Sequence, residues 1–147
     1  MKQEDKDLLL KDLCSRLAYG IKCNVGEETP YTLSKIEKDD RNGHLLDFIE
    51  KKNGLNMQVY LSEVKPYLFP LSSMTDELWD KEFSGCGITE FTRDSFKYGC
   101  ETLEFNNSNP NLSSIVRFIN QLIKNHFDIY GLIPMGLAND ATGLNIY

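Results

Sequence analysis

The stretch LNMQVYL, residues 55–61, alternates Leu55, Met57, Val59 and Leu61 with Asn56, Gln58 and Tyr60. A period of two sends the first set to one face of a pleated strand and the second set to the other. One apolar face and one polar face is the pattern of an antiparallel strand lying between a core and water. Its partners are written upstream. Asn53-Gly54 and Asn42-Gly43 each stand between apolar runs, and Asn-Gly readily supplies the two positive φ angles of a type I′ hairpin turn. Before them, Ile21, Cys23 and Val25 alternate, a polar turn follows at Gly26 and Glu27, and residues 31–37 form a second β-like run. Residues 21–61 therefore read as a four-stranded meander.

Helices flank this meander. Over residues 6–18 the side chains Leu10, Leu13, Cys14 and Leu17 recur at i, i+3, i+4 and i+7, which predicts an amphipathic helix with those four facing inward. Gly20 stands just past its end, where a left-handed residue is often required. Near the other end, the loop NNSNPN leads to Asn109 as an N-cap and Pro110 at the first helical position. Leu112, Ile115, Val116, Ile119, Leu122, Ile123 and Phe127 then fall at helical spacing. The fold class expected is α+β: a small antiparallel sheet packed against N-terminal and C-terminal amphipathic helices, in one domain spanning residues 1–147 with one core.

Between these parts lies VKPYLFPLSSMT, residues 64–75. Pro66 lacks a ladder donor and pushes Lys65 toward extended geometry, so no central strand is expected here. Pro70 does the same to Phe69. Ser73 or Thr75 then caps a short helix running to about Phe83, with Asp76 and Glu77 placed favourably at its positive end. Gly85 and Gly87 break the chain again. Residues 88–105 read as a hairpin turning near Arg93-Asp94, because the arm FKYGCETLEF is rich in β-formers. From Asp128 onward the chain is expected to be irregular or only briefly helical.

Composition excludes several functions. The formal charge of -6, from 22 acidic against 16 basic residues, repels phosphate backbones and acidic membrane surfaces, so broad nucleic-acid binding is not expected. The start MKQEDKD lacks the basic-then-apolar pattern of an export signal, and no apolar run approaches the length of a membrane span. A cytoplasmic protein is expected. Cys14, Cys23, Cys86 and Cys100 form no CxxC pair, so no structural zinc and no cofactor is anticipated, and all four are read as small buried apolar residues.

The inventory for catalysis is short. SGCGITE offers a lone GxG without the strand and helix of a phosphate loop. His44 is read as an exposed strand residue. His126 and Asp128 form a His-x-Asp pair that can orient an imidazole for acid-base work, although a histidine in a last helical turn is also favourable to the dipole. The acid clusters Glu37, Asp39, Asp40 and Asp76, Glu77, Asp80, Glu82 are read as solvated surface, and Tyr60, Tyr67, Phe69 and Trp79 mainly as core and rim. For ligand binding the candidates are Lys65, Tyr67, Ser72, Ser73 and Thr75, since hydroxyls and free amides at a helix start make an anion receptor.

Three segments, LLLKDLCSRLAYG, EVKPYLFPLSSMT and NHFDIYGLIPMGLA, resemble in that order a family of small uncharacterised proteins of gut bacterial genomes, their phages and mobile elements. The likeness covers about forty residues of the chain, and Phe69 and Leu71 depart from the arginine and methionine usual in the family. It brings no catalytic or binding residues. It implies a context, a small binding protein that acts as a counter-defence factor by inhibiting a host immune protein or sequestering its nucleotide signal. A nucleotide-acting hydrolase or transferase using His126 and Asp128, and a protein-protein adaptor, are the alternatives. A homo-oligomer is compatible with a chain of this size, but no heptad or obvious self-pairing edge is written in the sequence.

Overall fold

The computed structural model describes residues 1–26, 29–39, 43–49, 56–100, 102–105 and 111–147. They divide into two compact units, one of residues 1–68 and 130–147 and the other of residues 69–129. In place of one shared core there are two clusters of buried apolar side chains, one within each unit. The α+β class holds, with a mostly antiparallel sheet and helices toward both ends of the chain.

The first unit carries the meander as expected: β1 (Lys22–Asn24), β2 (Tyr31–Asp39), β3 (Gly43–Ile49) and β4 (Asn56–Tyr60) pair in sequence order, all antiparallel. Gly43 enters β3 at φ 99°, a positive angle of the kind the expected turn calls for, while Asn42, Asn53 and Gly54 lie outside the described residues. In β2 the register steps from Leu33 opposite Phe48 to Lys35 opposite Asp47, leaving Ser34 as a bulge. That extra residue moves the inward set from Tyr31 and Leu33 to Ile36, as a bulge must when the side-chain period is two.

Two further strands complete a six-stranded sheet of order β4-β3-β2-β1-β5-β6. Here the sequence reading is corrected. β5 (Lys65–Leu68) runs through Pro66 and lies between β1 and β6 (Asn139–Asp140). The proline is tolerated because the two edges of β5 are used over different residues. β1 pairs with Lys65 and Pro66, whereas β6 pairs, in parallel, with Tyr67 and Leu68. The β1 register would next place Lys22 opposite Tyr67, but the Tyr147 hydroxyl fills that rung. It accepts from the Lys22 N–H at 3.2 Å and donates to the Tyr67 carbonyl at 2.6 Å. Burial of that hydroxyl pushes its pKa up.

α1 (Gln3–Arg16) packs on this sheet by a face other than the one expected. Its buried residues are Leu9, Asp12, Leu13 and Arg16, the same i, i+3, i+4, i+7 rhythm displaced by one position, and Cys14 is exposed. The cause is an ion pair. Arg16 Nε donates to both Asp12 oxygens at 3.0 and 2.9 Å and its Nη2 donates to Oδ1 at 2.7 Å, with both side chains fully buried. Bidentate contact offsets the desolvation of two charges, so a reading that counts only apolar residues misplaces the face.

In the second unit, α2 (Asp76–Leu78) continues into a wide π turn at Trp79–Phe83, α3 spans Glu90–Lys97 and α4 spans Leu112–Lys124. Trp79, Phe83, Phe96, Phe118 and Phe127 interlock with centroid separations of 5.5 to 6.3 Å, the range in which aromatic pairs attract beyond simple burial. α4 therefore packs into this cluster, through Phe118 and Leu122. It starts at Leu112, where Asn111 Oδ1 accepts from the Ser113 N–H at 3.0 Å; Asn109 and Pro110 lie outside the described residues.

The hairpin expected at 88–105 is instead α3, with only an isolated bridge between Ile88 and Phe105. Thr92, Ser95 and Phe96 are its buried residues, an inward face made mostly of hydroxyls that apolar periodicity cannot see. Thr92 Oγ1 accepts from the Glu104 N–H at 2.8 Å, which satisfies the buried hydroxyl. Gly99, at φ 74°, ends the helix: its N–H reaches Phe96 O at 3.0 Å and the next N–H, of Cys100, reaches Ser95 O at 2.9 Å. That is a Schellman ending, which needs a left-handed residue. Cys100, like Cys14, is exposed, so only Cys23 and Cys86 are buried as expected.

Replacing Asp12 by alanine strands a buried guanidinium and is expected to lower stability by about 3 to 5 kcal/mol. The paired replacement Asp12→Leu with Arg16→Met should cost much less. Urea unfolding of the three proteins checks this, and equal losses would show that the pair does not act as a unit.

Candidate functional site

The residues singled out from the sequence fall in both units. In the first, Lys65 is exposed at the start of β5, and the Tyr67 hydroxyl accepts from Asn24 Nδ2 at 3.3 Å. His44 is half-buried in β3 rather than exposed. Cys23 is fully buried, and burial followed by the Asp12 charge pushes its thiol pKa far up; a thiol held protonated is a poor nucleophile.

In the second unit, Ser72 is exposed on a 3-10 turn at Leu71–Ser73. Ser73 Oγ donates to the Pro70 carbonyl at 2.7 Å, and Thr75 Oγ1 accepts from the Leu78 N–H at 3.2 Å. Thr75 is thus the cap, and Ser73 closes the turn before it. Both hydroxyls serve the chain's own backbone. α2 is only three residues long, and Asp76 and Glu77 already occupy its positive end, which disfavours an incoming anion.

The acidic side chains here do not all stand free in solvent. Asp76 accepts from Lys97 Nζ at 2.7 Å and lies 3.5 Å from Arg93 Nη1, while Glu82 lies 3.0 Å from Lys124 Nζ. The lysine partners hold both carboxyls below their ordinary pKa values. These contacts tie α2 and its π turn to α3 and α4.

His126 and Asp128 are both buried. α4 ends in a second Schellman motif in which the His126 N–H reaches Ile123 O at 3.0 Å and the Phe127 N–H reaches Leu122 O at 2.9 Å. The left-handed position is His126 itself, at φ 60°, the one positive-φ residue other than glycine among the described residues. Just beyond, the Phe69 N–H donates to His126 O at 2.9 Å and the Asp128 N–H donates to Phe69 O at 2.8 Å. The backbones of the pair therefore bracket Phe69, and Phe127 between them is buried beside Phe69 and Phe83. Among the described residues no three His, Cys, Asp or Glu side chains gather to hold a metal, and no helix is long and apolar enough to cross a membrane.

The surface that sequence reasoning passed over is on α4. Leu112, Val116 and Ile119, at i, i+4 and i+7, are 72%, 48% and 37% exposed. Phe118 and Leu122, which enter the core, lie roughly 100° around the helix from that stripe. The cations of α4 are engaged elsewhere, Arg117 with the Gly85 carbonyl and Lys124 with Glu82, so the stripe itself is uncharged. The clue was present in the sequence, since the apolar positions of this helix cover a wider arc than one core face needs.

Two substitutions test the structural roles. Thr75→Ala should cost about 1 kcal/mol, the usual loss for a hydroxyl cap, with Ser73→Ala costing less; the thermal midpoints report both. At the left-handed turn, His126→Val should destabilise by about 1 kcal/mol more than His126→Asn, because β-branched residues resist that conformation and asparagine tolerates it. A reversed order would show that the imidazole, and not the turn, sets the residue. The chain matches no protein-family model, no curated protein and no solved structure.

Proposed function

We propose that the protein is a non-enzymatic binding protein that engages a protein partner through the exposed stripe of α4. The observation that carries this reading is the uncharged row Leu112, Val116 and Ile119 held in solvent on a helix whose neighbouring face is already locked into a core. Contiguous exposed apolar surface on a rigid element is a common mark of an interaction site, and rigidity lowers the entropy lost on docking. The resemblance to small proteins of phages and mobile elements supports a host protein as the partner and counter-defence as the role, the partner being an immune protein that the binding inhibits.

The test is a double substitution, Val116→Glu with Ile119→Glu. The fold should be kept, because neither residue belongs to the buried cluster. A partner captured from host lysate by the parent chain should be lost or bound about a hundredfold more weakly, the equivalent of about 2.7 kcal/mol. Unchanged capture would remove α4 from the interface. A parallel screen against nucleotide second messengers, read by thermal shift and mass spectrometry, addresses the rival functions. Chemical alteration of any nucleotide would overturn the non-enzymatic reading, and a raised melting point with intact ligand would replace a protein partner by a small-molecule one.

A further inference from the structure

β4 is an outer strand of the sheet and pairs with β3 alone. One hydrogen bond shows which of its backbone groups turn outward. The Tyr60 N–H donates to Glu63 Oε2 at 3.0 Å, on the side of the strand away from the β3 ladder. Backbone groups alternate in direction along a strand, so the N–H and C=O groups of Gln58 and Asn56 also turn away from β3. Among the described residues, neither has a backbone partner on that side.

Sheets protect such edges with charge, proline, a bulge or shortness. The opposite edge, β6, has two residues and is protected by shortness. Within its own five residues, NMQVY, β4 carries none of these devices, having no charge and no proline and a register with β3 that is continuous from Ile49 opposite Asn56 to Leu45 opposite Tyr60; the one charge at this edge is Glu63, on the Tyr60 N–H.

We propose that β4 pairs antiparallel with β4 of a second copy about a two-fold axis at Gln58, extending the sheet across a homodimer. In this register Gln58 faces Gln58 of the second copy, Asn56 faces its Tyr60, and Met57 faces its Val59. Polar thus meets polar on the outer face and apolar meets apolar on the core face, the cross-strand pairing that stabilises sheets. The strand is complementary to itself, as a two-fold interface requires. The strand itself carries no charge in a chain of net charge -6, and the Asp47 carboxylate beside the axis already accepts from Gln58 Nε2 at 2.6 Å, which favours a second copy over a basic partner. Glu63 is the brake in this arrangement. Its carboxylate occupies the Tyr60 N–H that the outer rungs need, so it must swing away before those rungs close.

The experiment is light scattering across a concentration series on the whole chain. The parent should move from monomer to dimer mass as concentration rises. Gln58→Lys and Gln58→Glu should each stay monomeric, because like charges would sit directly opposite, and an equimolar mixture of the two should recover the dimer. Glu63→Ala should tighten the parent dimer by about tenfold, if the released N–H is worth one hydrogen bond. Circular dichroism confirms that each variant is folded, and Gln58→Pro, whose lost N–H points outward and breaks no bond to β3, serves as a second monomeric variant. A monomer at every concentration, a dimer indifferent to Gln58, or a mixture that stays monomeric would each overturn the proposal. Val116→Glu with Ile119→Glu should leave the dimer mass unchanged, so a failure here is distinct from a failure of the α4 reading.

Discussion

The structure depends on the backbone pairing of residues 65–69 with segments far away in the chain. Lys65 and Pro66 pair with β1, Tyr67 and Leu68 pair with β6, and the Leu68 carbonyl also takes the Ala141 N–H at 2.8 Å. Phe69 then exchanges hydrogen bonds with His126 and Asp128. The chain leaves the first unit after Leu68 and re-enters it at Tyr130, so one short run of backbone serves both units in succession. Each of these groups would cost free energy if buried without a partner. That constraint explains the unusual residues nearby. The proline is allowed where the two ladders hand over, the left-handed histidine turns α4 back toward Phe69, and a phenol fills the rung between Lys22 and Tyr67.

Inside the first unit, a buried ion pair and a bridging phenol come with their partners. Asp12 and Arg16 neutralise each other on consecutive turns of α1, and the Tyr147 hydroxyl both accepts and donates. Such arrangements add less net stability than an apolar core of the same volume, because desolvation consumes much of the Coulombic gain. In return they penalise alternatives: a helix rotated by one residue, or a strand slipped by one register, would leave a charge or a hydroxyl unpaired.

The same accounting separates groups that hold the fold from groups free to meet another molecule. The hydroxyls of Ser73 and Thr75 complete turns, and His126 and Asp128 fasten Phe69 through their backbones. Among the described residues, two exposed features are of another kind: an uncharged helical stripe in the second unit and the outer strand β4 in the first. Both are surfaces suited to burial and pairing.

Much of this was legible in the sequence, and where it was not the cause is specific. The alternation over residues 56–60 and in the runs before it, and the apolar rhythm after Leu112, determined the strands of the meander and α4 by themselves, because strand and helix periods are local properties of side-chain direction. The cap near Thr75 was legible for the same reason. Local pattern failed wherever a polar residue was buried by a partner distant in space or hidden from apolar counting. Asp12 and Arg16 displaced the face of α1, Thr92 and Ser95 made a helix where β-formers predicted a hairpin, and Pro66 entered the sheet because its neighbours divide its two edges. The roles of Tyr147 and His126, and which strand would be left at the edge with its backbone open, were decided only by the tertiary structure. Hydrogen-bond satisfaction is a condition on the whole chain, and a linear reading has no access to the partner that meets it.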